Sequence, residues 1–167
     1  QVFRPFVREW QVDDFGNESS AEKVDRNLLR GELLFSEIGC IRCHRIDGNG
    51  GILGPDLTAV GRRFTERDLL EAIIEPNRMI SDQYRATIFT LSDGKSVTGH
   101  IADIHKNKWS LITNLLQPRN YTPIDPQFIE NMEPSPISMM PAGLLDTLTK
   151  EEIIDLLSYL RANHDRS

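Results

Sequence analysis

Apolar residues along the chain follow two periods. Val24, Leu28, Leu29, Phe35 and Ile38 recur at helical spacing and predict a helix over about Ala21–Ile38. Gly31 lies one turn before Phe35. A glycine there costs roughly 1 kcal/mol of helix propensity against alanine, which predicts a second helix approaching closely at that point. Gly39 is a C-terminal stop. Thr65-Glu66-Arg67-Asp68 carries an N-cap and a weaker form of the capping box, and opens a helix through Glu75 with Leu69, Leu70, Ile73 and Ile74 apolar, halted by Pro76. Thr149-Lys150-Glu151-Glu152 is a second capping box, starting a helix through Ala162 with Ile153, Leu156, Leu157 and Leu160 apolar and Tyr159 beside them. Between the last two helices the period falls to two. Tyr84–Leu91, Val97–Ile104 and Trp109–Thr113 read as strands, with hairpin signals at Ser92-Asp93-Gly94-Lys95 and His105–Lys108; Tyr121–Ile124 and Phe128–Met132 are shorter candidates. The predicted class is mainly α: a linker or N-terminal extension over 1–20, then a helical domain over 21–167. That domain is interrupted at about 84–133 by a small antiparallel β-sheet or barrel, α+β overall.

Composition leaves this picture in place. A chain of 167 residues, 39% hydrophobic and 26% charged, is long enough for one globular domain with an embedded subdomain. The net charge of -6 argues against nucleic acid as a partner. No apolar run approaches a membrane span. The chain begins with Gln, and we read it as a processed or excised fragment, so a missing leader says nothing about compartment.

The chemistry concentrates in Cys40-Ile41-Arg42-Cys43-His44, where the two cysteines of the chain stand three apart with a histidine adjacent. Cys-x-x-Cys-His is the attachment signature of a c-type haem: the thiols add to two vinyl groups and the histidine offers a neutral nitrogen to the iron. A disulfide, a redox-active pair or half a zinc site would use the same cysteines. The zinc reading needs further ligands at ordered spacing, but His100, His105 and His164 are scattered. The redox reading wants a βαβ context that the flanks lack. The glycine-rich run Gly48–Leu57 allows backbone to pass close to a flat porphyrin, and Gly54-Pro55 can fix a carbonyl that accepts from the non-ligating nitrogen of His44. Met139 and Met140 are adjacent candidates for a distal ligand, with core packing as the alternative use. Met79 and Met132 read as core or surface residues. A distal His100 or His105 would need the β insertion to fold over the haem. His164 reads as solvent-exposed.

Taken together, the helix with Gly31 and Phe35, the Cys40–His44 motif, Gly54-Pro55-Asp56-Leu57, Gly61-Arg62, and Met140-Pro141 before a last helix resemble class I cytochrome c. The chain is more closely similar to the Pirellula/Verrucomicrobium-type haem-binding domain, through Glu75-Pro76, Ile80-Ser81-Asp82-Gln83-Tyr84, Glu133-Pro134-Ser135 and Ser138-Met139-Met140-Pro141. The resemblance covers about Val7–Leu160. It implies a cytochrome c-like helical fold whose first and last helices cross at Gly31, Phe35 and Tyr159. It implies one covalent haem c with His44 and Met140 on the iron, Pro55 accepting the histidine N–H, and Arg62 near a haem propionate. It also implies a periplasmic or otherwise extracytoplasmic module of a larger protein.

The expected function is one-electron transfer to or from a redox partner protein or an attached dehydrogenase domain, without a catalytic side chain. The alternative is a gas-binding or sensing haem domain in which the Met ligand is weak or displaced. A peroxidase-like site would want an open iron and a distal acid–base residue, and the sequence offers no clear one.

Overall fold

The computed structural model describes residues 3–16, 26–115 and 117–162. The chain divides into two compact units, Gln1–Arg78 with Pro141–Ser167, and Met79–Met140.

The first unit is helical. Helix α1 (Leu28–Glu37) starts at Asn27, whose side chain accepts from the Arg30 N–H, and ends with Gly39 in the left-handed region at φ 92°. Its expected first turns over 21–25, Val24 included, lie outside the described residues. Its buried positions are Gly31, Leu34 and Phe35. The expected apolar face is thus displaced: Leu28 is half-exposed and Leu29 is 75% exposed, because the contact stripe is centred on Gly31 and Leu34 rather than on the leucine pair. Helix α2 (Glu66–Ile74) forms with the Thr65/Asp68 capping box, and helix α3 (Lys150–Arg161) with the Thr149/Glu152 box. α1 and α3 cross where Gly31 removes a side chain. A Cβ there would stand 2.3 Å from the Asp155 carbonyl oxygen and 2.6 Å from Tyr159 Cβ. The Phe35 and Tyr159 rings meet beside it at 5.9 Å. Asp155, fully buried on α3, accepts from the Asn27 N–H at 2.8 Å and from Arg30 Nε, tying the start of α1 to α3. Within the stretch expected as a linker or N-terminal extension over 1–20, the described residues contribute to the core. Trp10 and Val12 are buried, Trp10 Nε1–H donates to the Leu148 carbonyl at 3.1 Å, and the Val7 N–H donates to the Asp146 carbonyl at 2.7 Å. Aromatic and β-branched residues without a clear period can pack as a strap, which periodicity does not register.

The second unit is a five-stranded antiparallel sheet of β3 (Thr87–Leu91), β4 (Ser96–His105), β5 (Lys108–Ile112), β6 (Tyr121–Ile124) and β7 (Ile129–Pro134), in the order β6-β5-β4-β3-β7. The two-residue pair β1 (Arg45–Ile46) and β2 (Asn49–Gly50) belongs to the first unit. Consecutive strands β3 to β6 form a meander, and β7 returns to the free side of β3. The core is small: Phe89, Leu111 and Ile124, flanked by Val97, Trp109 and Ile129, with Phe89 and Trp109 edge-to-face at 6.3 Å. Pro123 sits on one edge strand and Pro134 ends the other, which blunts both edges.

The expectation of a mainly α protein is corrected here. Of the described residues, 31% are helical (3₁₀ turns included) and 23% are in strands, with three α-helices and a five-stranded sheet among them, a composition in which neither class dominates. Short capped helices and long β-branched strands share the chain more evenly than the helix signals alone suggest.

Candidate functional site

After Gly39 turns the chain out of α1, Cys40–Arg42 forms one 3₁₀ turn. The Cys43 and His44 N–H groups both donate to the Cys40 carbonyl, at 3.2 and 2.9 Å, so the two thiols and the imidazole emerge from one tight bend. β1 and β2 follow as a miniature hairpin. Its two turn residues, Asp47 and Gly48, both have positive φ (51° and 78°), the backbone of a type I′ turn. The glycine-rich stretch then runs back along the motif. The Gly51 N–H donates to the Ile41 carbonyl at 2.8 Å and the Gly54 N–H to the Cys43 carbonyl at 2.7 Å. Side chains are excluded here. A Cβ on Gly51 would meet the Arg42 carbonyl oxygen at 2.0 Å, and one on Gly54 would meet the His44 ring at 2.7 Å.

His44 is held from two sides. Gly54 lies against its ring, and Nδ1 stands 2.9 Å from the Pro55 carbonyl oxygen. A carbonyl only accepts, so Nδ1 carries the proton and Nε2 keeps a free lone pair. Burial pushes the histidine pKa down against the pull of the Pro55 carbonyl, which favours the neutral ring that a metal needs. Burial also pushes Cys40 up to about 12 and raises Cys43, with Arg42 opposing. Redox-active cysteine pairs have the reverse property, a depressed thiol. Among the described residues no group of three or more His, Cys, Asp or Glu side chains converges. A thiol pair on one turn, a neutral imidazole with a fixed tautomer, and glycines cleared away from the ring fit a covalently held haem.

Asp56 locks the loop that supplies Pro55. Its carboxylate accepts from the Thr58 hydroxyl at 2.6 Å, the Thr58 N–H at 2.9 Å and Arg45 Nε at 2.7 Å, and these bonds hold it down at about 2. An Asp-x-Thr step after a proline is the local sequence signal for such a turn.

The remaining expected residues are placed as follows. Arg62 ends the 3₁₀ turn Val60–Arg62 with its side chain exposed. That turn is seated by Gly61, where a Cβ would stand 2.5 Å from Arg161 Cα. Met139 and Met140 are both partly buried at the end of the Met79–Met140 unit, and the Met140 N–H donates to Ser138 Oγ at 3.1 Å. Met79 is 88% exposed and Met132 half-exposed, so neither is a core residue. His100 is half-buried on β4, His105 is exposed at its end, and His164 lies outside the described residues. No helix among the described residues is long and apolar enough to cross a membrane.

No curated protein matches the chain. Residues 28–103 match the family model for cytochrome c, a stretch that runs from α1 through the Cys40–His44 motif and α2 into β4. The match spans less than half of the chain; with the site geometry it supports a cytochrome c domain, and the cytochrome c family implies covalently bound haem c with its iron.

Proposed function

We propose that the protein carries out one-electron transfer through a single haem c, attached at Cys40 and Cys43 and ligated by His44 and Met140. The observation that carries the reading is the clamp on His44, in which the Pro55 carbonyl fixes the tautomer and Gly54 admits the ring. Bound there, haem c supplies an Fe(III)/Fe(II) couple. The chain's own part is to hold the ligands in place. Cys40 and Cys43 fix the porphyrin edge on one 3₁₀ turn. His44 presents Nε2 with little freedom to rotate, which keeps reorganisation small when the charge on the iron changes. Met140 would offer the iron a soft sulfur, which favours the reduced state. Arg62 serves a haem propionate. No side chain acts as acid, base or nucleophile. The domain works as a module of a larger extracytoplasmic redox protein, exchanging electrons with a partner protein or an attached dehydrogenase.

The ligand assignment is tested by absorption spectra of the ferric holoprotein and its methionine variants. Wild type and Met139→Ala should show the weak long-wavelength band of a methionine–iron bond, and Met140→Ala should lack it. A band that survives in Met140→Ala but vanishes in Met139→Ala moves the ligand by one residue. Its absence from wild type overturns methionine ligation.

A further inference from the structure

The segment that ends in Met140 is tied to the sheet by a side-chain network that haem attachment does not require. Ser135 is 2% exposed although polar. Its N–H donates to the Ala86 carbonyl at 2.8 Å, which pins the end of β7 to the start of β3. Its hydroxyl donates to the Ile137 carbonyl at 2.9 Å and accepts the Ile137 N–H at 3.1 Å, so one buried oxygen closes both backbone groups two residues on. Arg85 spans the same place. Nη2 donates to the Ile80 carbonyl at 2.9 Å, Nη1 reaches the Ser135 carbonyl at 3.4 Å, and Nε pairs with Asp82 at 3.2 Å. One guanidinium therefore joins the entrance of the Met79–Met140 unit to its exit. Ser138 Oγ then takes the Met140 N–H, completing a chain of local bonds from the sheet to the methionine.

We propose that Arg85 and Ser135 are positioning residues for the Met140 ligand, holding the 135–140 segment and so setting how readily an external ligand displaces the methionine. The inference rests on the Met140 assignment above. Its physical basis is competition. An external ligand reaches the iron only in molecules whose 135–140 segment has let go, so its apparent affinity scales with that open fraction. A net hydrogen bond changes such an equilibrium by about tenfold. Ser135→Ala removes both hydroxyl bonds and should open the segment about that much.

The test is imidazole binding to the ferric holoprotein, using the full chain. Ser135→Ala and Arg85→Gln should each bind imidazole about tenfold more tightly than wild type. Ser135→Thr, which keeps the hydroxyl, should stay close to wild type. Met140→Ala should bind most tightly, and adding Ser135→Ala or Arg85→Gln to it should change nothing, since no methionine remains to be positioned. Arg85, partly exposed, keeps the test alive if Ser135→Ala does not fold. If Met140→Ala gains affinity while Arg85→Gln and Ser135→Ala match wild type, the positioning role is overturned and the ligand assignment stands. Unchanged affinity in Met140→Ala overturns both. A merely structural role would lower unfolding stability equally with and without Met140 and leave imidazole affinity where it was.

Discussion

At the scale of single residues, the site is defined as much by what is missing as by what is present. Gly54 has no side chain where a Cβ would lie 2.7 Å from the His44 ring. Gly54→Ala must rotate or push that imidazole away from the Pro55 carbonyl. It should destabilise the ferric holoprotein by about 1–3 kcal/mol in guanidinium unfolding, the usual cost of overpacking. Asp56 makes a different kind of prediction. Its carboxylate is held at about 2 by Thr58 and Arg45, below its ordinary value near 4. A depressed carboxylate stabilises the fold fully above the unfolded value, and that contribution is lost as pH falls through about 2. Wild type should therefore melt higher than Asp56→Asn at pH 7 and pH 5. The gap should shrink below pH 4 and close near pH 2, with its size kept small because the side chain is 42% exposed and screened. A gap independent of pH would remove the role given to that charge. The Cys40–His44 motif, Gly54 and Pro55 were legible in sequence because a covalent haem demands fixed spacing. The Asp56 lock was not singled out, since an Asx turn resembles any other loop until its partners are known.

Among the elements, the α1–α3 crossing is the joint that orients the motif. Alanine at position 31 would gain roughly 1 kcal/mol of helix propensity. The same Cβ would collide with the Asp155 carbonyl oxygen at 2.3 Å and with Tyr159 Cβ at 2.6 Å, neither of which is a flexible side-chain end. The collision should win. Gly31→Ala is expected to lower stability by a net ~1–3 kcal/mol by chemical denaturation; a stabilised variant would show that the helices separate freely. Gly31 alone announces a close helix approach; that the partner is the last helix, meeting it at Phe35 and Tyr159, is what the resemblance to class I cytochrome c implies. The caps at Thr65 and Thr149 were equally visible, since Thr followed by Asp or Glu three residues later satisfies two backbone donors at once. What escaped was which leucines face inward. Leu28, Leu29, Leu34 and Phe35 all suit a helix, and only the partner helix decides that Leu34 is buried and Leu29 is not.

For the whole molecule, the balance of classes was misjudged even where individual strands were found. Period-two runs locate all five strands of the larger sheet to within three residues at either end. Periodicity does not say that β7 returns to pair with β3, a contact across about forty residues. The packing of the N-terminal stretch has a related cause: Trp10 is held by the Leu148 carbonyl, a partner that no local pattern names. The central claim is that the chain closes its iron with its own methionine and so transfers electrons rather than binding gas. The most direct measurement is addition of carbon monoxide to the dithionite-reduced holoprotein, followed by absorption in wild type and Met140→Ala. Wild type should keep its ferrous spectrum on mixing, and Met140→Ala should convert promptly to the carbon monoxide form. Prompt conversion of wild type would contradict the closed site and make ligand binding the function.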